Sequence, residues 1–322
     1  MLKGKQQLQT NIDANFNMAK TSILVLTKND ASGIDACLQA VYSQKHVDPF
    51  EVIVVDSGST DGTLDVLRRY PVLLEQIPAE NFHHARTRNF AASHATGEIL
   101  IFLSQDAVPA SDRWLSTMIS NFADPGVGAV YGRQLPKPGS SLERQDALDA
   151  VYGDQRIVKD PAHRNGFGYR FYHFSDVNAA IRRSVWHAMP FPEDLRVFED
   201  LGIAKLILDN GWKIVYEPGA AVLHSHQHTT IGLLKRYFDI GYTLKLLKIW
   251  DAPGTKKSML RDIGKLLQKK GKRVSGGNRK GKLAGEAIRQ DIAKSVGLFL
   301  GLNQNCLPLA LKRRLSAFRI FE

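Results

Sequence analysis

The chain has 322 residues, of which 43% are hydrophobic, and it carries 2 cysteines and a formal net charge of +11. That much apolar material builds a sizeable core, which excludes a disordered tail, a collagen and a disulfide-stapled miniprotein. Cys37 and Cys306 are too far apart in sequence for a metal knuckle and suggest no disulfide framework, so a reducing cytoplasm is the expected setting. The best apolar stretch, 296–311, is broken by Asn303, Gln304, Asn305 and Pro308. It falls short of the roughly 18 to 20 residues that a spanning helix needs. Residues 1–20 are a polar extension without the apolar core of a signal peptide, so the expectation is a chain neither exported by that route nor membrane-spanning.

In chain order, 22–26 (SILVL) reads as a buried strand running into the polar loop Thr27, Lys28, Asn29, Asp30. A helix follows at 34–41, where Ile34, Cys37, Leu38 and Val41 recur at helical spacing, and then a second buried strand at 51–55 (EVIVV) ending at Asp56. A helix at 60–70, a strand at 72–77, a helix at 84–94 and a strand at 98–103 continue the alternation. This rhythm predicts an α/β fold of βαβ units in a mostly parallel sheet, with ligands beyond the carboxyl ends of its strands. A helix at 111–122 and strands at 128–132, 213–216 and 220–223 complete the core of a domain spanning 21–230. No internal repeat is present.

From 231 onward the texture becomes helical and basic. Residues 1–230 hold 22 Lys and Arg against 26 Asp and Glu, a balance of −4, which leaves +15 on residues 231–322. A helix is expected around Leu233, Tyr237, Ile240 and Leu244, and the Gly-rich basic stretch 269–282 reads as a mobile connection. The charge asymmetry calls for an anionic partner, either nucleic acid or an anionic membrane surface, although a solvated helical surface explains it too.

Four polar clusters follow apolar strands. The stretch 56–63 (DSGSTDGT) is either a well-capped strand-to-helix turn or a nucleotide cradle, in which a carboxylate and free amides meet base, ribose and phosphate. Asp106, after the run EILIFL, is either a helix cap or a ligand for a hard divalent cation. Glu199 and Asp200 open an apolar helix, either to oppose its dipole or to supply a general base to an acceptor hydroxyl. The alternating histidines His224, His226 and His228 share one face of an extended segment, where they either pack or bind a metal.

In their order, SILVLTKND, EVIVVDSGSTDGT, HARTRNFAA, GEILIFLSQDAVP, VYGRQLP, NAAIRRSVW, FEDLGIAKLILDNGWKIVYEP and VLHSH resemble the family 2 glycosyltransferases, and specifically their bacterial rhamnosyltransferase-like branch. The resemblance covers about 21–245. It implies a GT-A fold and inverting transfer of a sugar from a nucleoside-diphosphate donor. By the same resemblance Thr27, Asp56, Ser57, Gly58, Arg88 and Gln105 belong to the donor nucleotide. Asp106 and His224 belong to a Mg²⁺ or Mn²⁺ site, and Asp200, beside Glu199, is the catalytic base. The chain departs from the family pattern at Gln105, which stands at the first acidic place of the metal motif, and at Leu201-Gly202-Ile203, where the branch often has Gln-x-Trp. It also lacks the Gln-x-x-Arg-Trp segment of processive synthases, so transfer of a single sugar, with rhamnose the candidate, is expected.

The expected acceptor is a glycan or a polyprenyl-diphosphate-linked glycan at the inner face of the plasma membrane. Phe238, Tyr242, Leu246, Leu247, Ile249 and Trp250 are the candidates to enter the lipid interface, and no nucleic acid is expected as partner. The competing readings are a sugar-nucleotide nucleotidyltransferase, which lacks here its lysine-bearing glycine-rich loop, and a nucleic-acid-binding protein acting through the basic region.

Overall fold

The computed structural model describes residues 20–140, 145, 148–149, 151–164, 168–226, 229–251 and 278–321. The polar extension (except Lys20), His228 and most of the stretch 269–282 therefore lie outside the described residues. The remainder of that stretch, from Asn278, is helical backbone and not a loop.

The strands are β1 (Thr21–Thr27), β2 (Phe50–Asp56), β3 (Leu73–Gln76), β4 (Ile99–Ser104), β5 (Val108–Pro109), β6 (Val127–Leu135), β7 (Ile157–Lys159), β8 (Asn178–Arg182) and β9 (Lys213–Leu223). They form one sheet in the order β3-β2-β1-β4-β8-β6-β9-β5, with β7 also paired to β9. The helices that cover it are α1 (Ala31–Tyr42), α2 (Thr63–Leu67), α3 (His84–Ser93), α4 (Trp114–Ser120), α5 (Arg183–Ala188) and α6 (Glu199–Asp209). After them come α7 (Thr230–Leu246), α8 (Asn278–Leu302) and α9 (Leu309–Leu315).

β1 is central, and its continuous apolar run follows from burial on both faces. Ile23 and Val25 pack into one core while Leu24 packs into the other. β3, β2, β1 and β4 are parallel, as the alternation of strand and helix predicts. Beyond β4 the sheet is mixed, which corrects the mostly parallel expectation: β8 enters antiparallel to both β4 and β6. Its sequence, NAAIR, is short and rich in alanine, and periodicity alone does not mark it as a strand. The strands expected at 213–216 and 220–223 are one strand, β9, whose register against β6 shifts between Gly132 and Gln134. Pro218 and Gly219 lie in that shift. The helix expected at 60–70 shrinks to α2 because residues 57–59 are held in a turn around the Asp56 carboxylate.

Gly132 sits where this irregularity tightens. A Cβ there would stand 1.9 Å from the Ala220 carbonyl oxygen and 2.3 Å from Asn178 Nδ2. The space is needed because Asn178 donates to Ala220 O at 2.8 Å and accepts from Trp114 Nε1 at 2.9 Å, tying β8, β9 and α4 together.

The carboxyl-terminal helices are not a detached module. Leu244, Ile249 and Leu298 join the same buried cluster as Leu24 and Phe102. Within the helical layer, Gly297 and Gly301 of α8 face α7 so closely that a Cβ would lie 2.1 Å from Leu234 O and 2.0 Å from Phe238 O. Two small residues four apart let the backbones approach, and the contact excludes any larger side chain.

Candidate active site

Parallel strands deliver their carboxyl ends to one rim, and the loops there are laced to each other. Ser57 N and Oγ donate to Thr27 O at 3.0 and 3.1 Å. Asn29 N donates to Ser59 Oγ at 2.9 Å, and Thr60 N donates to Asn29 Oδ1 at 2.8 Å. Thr27 Oγ1 and Lys28 N both donate to Gln105 Oε1, at 2.6 and 2.8 Å, joining the end of β1 to the loop after β4. The rim borders a cleft of about 460 Å³.

Of the residues expected at the donor, Thr27, Ser57, Arg88 and Gln105 line this cleft. Asp56 and Gly58 do not. Asp56 is fully buried and accepts from Gly58 N and Ser59 N at 3.1 and 3.0 Å, while Ser59 Oγ donates to its other oxygen. The carboxylate therefore shapes the turn that presents Ser57.

At one end of the cleft a carboxylate meets two imidazoles and an ammonium. Asp106 Oδ1 lies 3.5 Å from His224 Nε2, and Oδ2 lies 3.6 Å from His226 Nε2 and 3.1 Å from Lys137 Nζ. The potential ligand atoms of Asp106, His224 and His226 all fall within 4.8 Å of one another. Burial pushes the Asp106 carboxyl up, but His224 and Lys137 outweigh it and hold the pKa below its ordinary value. His224 is oriented from behind. Gln134 Nε2 donates to Tyr152 Oη and Ser175 Oγ at 2.7 and 2.9 Å, so its Oε1 turns to His224 Nδ1 at 2.9 Å. A carbonyl oxygen only accepts, so Nδ1 carries a hydrogen.

The other end is a carboxylate cluster around one guanidinium. Arg88 Nη1 donates to Glu199 Oε1 at 2.6 Å, and Nε stands 2.8 Å from Asp176 Oδ2 in an ion contact too bent for a hydrogen bond. Arg88, Asp176 and Glu199 are all buried, at 11%, 8% and 7% side-chain exposure. Asp200 accepts from Leu201 N at 2.7 Å. Burial raises its pKa well above the ordinary carboxylate value, and the charges of Asp176 and Glu199 add to the rise. Burial likewise raises Asp176 against the opposing pull of Arg88. Burial and the neighbouring Arg88 lower the His84 imidazole to about 4, which keeps it neutral beside Glu199 at neutral pH. Arg88 and Asp176 line the same cleft as Asp106 and His226, so the two groups of charges open onto one space.

Asp176, Lys137 and Gln134 do not stand out in the sequence. Asp176 precedes the unrecognised β8, and Gln134 lies in the strand segment beyond the expected limit of β6. His226 is visible in the HSH pattern, but only the fold shows that it reaches Asp106.

Residues 22–188 match the family model described as glycosyl transferase family 2. The chain is 33% identical over 225 residues to the O-antigen chain rhamnosyltransferase RfbN of Salmonella typhimurium, covering 69% of this chain and 71% of that protein. It is 35% identical over 195 residues to the O-antigen chain rhamnosyltransferase WbaN of Salmonella anatum, covering 60% of this chain and 62% of that protein. Among solved structures it resembles a mannosyltransferase of Pyrobaculum calidifontis in complex with GDP-Man and Mn²⁺, with a TM-score of 0.58 at 20% identity over 88% of this chain and 87% of that one. It also resembles TarS 1-349 of S. aureus, with a TM-score of 0.55 at 16% identity over 94% of this chain and 87% of that one. The fold is therefore GT-A-like. The chain belongs to glycosyl transferase family 2 and is a rhamnosyltransferase-like glycosyltransferase.

Arg88 supplies the cation that compensates this carboxylate cluster. Arg88→Met is expected to destabilise the protein by roughly 3–5 kcal/mol at pH 7, the range for removing one partner of a buried pair. The deficit should shrink as pH falls. Without the guanidinium the folded-state carboxyl pKa values rise further above their unfolded values, so the penalty is greatest where the groups are ionised and fades as they protonate. Urea unfolding of both proteins between pH 7 and pH 5 checks the sign; an equal deficit at both pH values would overturn it.

Proposed function

We propose that the protein is an inverting glycosyltransferase that moves a single sugar from a dTDP- or UDP-sugar, with rhamnose the candidate, to a glycan or polyprenyl-diphosphate-linked acceptor in polysaccharide synthesis. The observation that carries this reading is that Asp106 and His226 line the same cleft, at the carboxyl ends of the strands, as Arg88 and Asp176, with Glu199 tied to Arg88 and Asp200 next to it in the chain. Thr27, Ser57 and Gln105 form the nucleotide wall. Asp200 takes the proton of the acceptor hydroxyl, a poor nucleophile until that proton leaves. Attack opposite the leaving diphosphate inverts the sugar in one displacement. Glu199 is committed to Arg88, so of the two acidic neighbours Asp200 is the base.

Asp106, His224 and His226 would hold a divalent cation, which when bound would neutralise charge on the diphosphate. The donor set fits. With Nδ1 hydrogen-bonded to Gln134, His224 aims Nε2 at a carboxylate oxygen 3.5 Å away, and a cation that displaced the Nε2 proton would find a nitrogen lone pair and a carboxylate already facing each other. One carboxylate and two imidazoles favour Mn²⁺ over Mg²⁺. Lys137 stands on Asp106 Oδ2 and must yield or share that oxygen.

We also place the acceptor at an anionic membrane surface, which the +15 balance of residues 231–322 suits. Of the residues expected at the lipid, Leu246 is exposed and Tyr242, Leu247 and Trp250 are half-buried. Phe238 and Ile249 are fully buried, while Ile292, Val296 and Phe299 form an exposed stripe at helical spacing on α8. Exposed Arg313 and Arg314 lie in α9. No helix among the described residues is long and apolar enough to cross a membrane.

Asp200→Asn should keep donor binding and lower turnover by at least about 100-fold, the scale of a lost general base. In the wild type, turnover should fall as pH drops through a pKa above the usual carboxylate range, since only the ionised form accepts a proton. Steady-state rates with dTDP-rhamnose and a polyprenyl-diphosphate-linked glycan test this, and undiminished turnover by the variant would remove Asp200 from the role. In a thermal-shift assay, Mn²⁺ should raise the melting temperature further in the presence of dTDP or UDP, and chelator or Asp106→Ala should abolish that increment. An increment that survives Asp106→Ala would show the cation site to be misassigned. Flotation with anionic vesicles should carry the protein, with Phe299→Asp weakening the association; flotation unchanged by that substitution would count against this face.

A further inference from the structure

The base reading above leaves open what fixes the turn that carries Asp200 beside Asp176 and Arg88. Its helix begins without a side-chain cap, and the residue before Glu199, Phe198, adopts left-handed backbone angles of φ 58° and ψ 34°. For a bulky side chain this conformation is costly and persists only where the surroundings impose it. Phe198 O accepts from Gly202 N at 3.1 Å, so the turn that carries Asp200 is built directly on this residue.

Contacts on the Phe198 ring and on Arg196 come from the end of the chain and from α7. The Phe198 ring meets the Phe318 ring edge-on, with centroids 6.0 Å apart. The Arg236 guanidinium covers both rings, at 5.6 Å from Phe198 and 5.7 Å from Phe318. Arg196 Nη1 donates to Arg319 O at 3.4 Å, adding a contact two residues upstream of Phe198. The terminal segment is fixed in turn by Asp239, a buried carboxylate on α7, whose Oδ2 accepts from Ala317 N at 2.8 Å and from Phe318 N at 3.1 Å. A buried carboxylate is expensive unless such donors meet it, so the two amides anchor the segment where the aromatic contact needs it.

We propose that Phe318, anchored through Asp239, is a positioning residue: it clamps the left-handed Phe198 and thereby fixes the turn that carries Asp200 beside the Arg88 cluster. The basic carboxyl-terminal region then contributes to sugar transfer itself, besides any contact with an acceptor surface. The inference rests on Asp200 as the base for its catalytic consequence, but the clamp itself is a structural claim that is measured separately.

The experiment compares three variants of the full chain by hydrogen exchange and by turnover. Phe318→Ala is expected to speed amide exchange of residues 198–203 by about tenfold or more, as local opening becomes easier. It is also expected to lower kcat by roughly 10- to 100-fold with the donor KM unchanged, because the reacting geometry is disturbed at the acceptor side only. Phe318→Tyr should restore both. Phe321→Ala removes a ring from the same segment, one that packs on Phe238 and Tyr242 and not on Phe198, and should leave exchange at 198–203 at the wild-type rate. Wild-type exchange at 198–203 in Phe318→Ala, or an equal acceleration in Phe321→Ala, overturns the clamp. Wild-type turnover by Asp200→Asn would instead remove the base reading, and the exchange comparison would still decide the clamp.

Discussion

The guanidinium of Arg88 is the constraint around which one end of the cleft is organised. It contacts Asp176 from the loop before β8 and Glu199 from the start of α6, residues far apart in the chain. Asp200, half-buried, is held in the same field, and one positive charge does not balance three carboxyls. The cluster responds by raising carboxyl pKa values, most of all at Asp200. The same crowding makes the Asp200 carboxylate hold a proton more tightly than a solvated aspartate does.

The opposite end of the cleft has the reverse character. There a single carboxylate, Asp106, faces two imidazoles and an ammonium, and its pKa is held down. A nucleoside-diphosphate sugar has matching polarity: an anionic diphosphate for the cationic end and a reacting carbon that must be approached by a deprotonating alcohol. Strand β4 places Asp106 at the rim, while β8, antiparallel beside it, brings Asp176 to the same rim from its own amino-terminal end. The mixed part of the sheet is thus what gives the cleft its second end.

Legibility varied with how local the causes were. β1, β2 and β4 are visible because strands buried on both faces read as unbroken apolar runs, and Asp56 and Asp106 are visible because each ends such a run. β8 is not, since two alanines in a five-residue strand leave no periodic signal. Asp56 looks like a ligand contact from its position, yet its oxygens close their own turn. The apolar residues after 237 look like a surface stripe, yet Phe238 and Ile249 are core because α8 and the sheet cover them.

The sequence by itself determined the alternating α/β domain, the family likeness, the basic helical end and the identity of Asp106, His224 and Asp200 as candidates. These depend on residue type, order and short-range period, which are present before the chain folds. Only the tertiary structure decided that Arg88 joins Asp176 to Glu199, that Gln134 orients His224 and that Phe318 reaches Phe198. Each of those contacts joins residues about 90 or more positions apart, or elements that no period relates, and such distances close only when the whole chain packs.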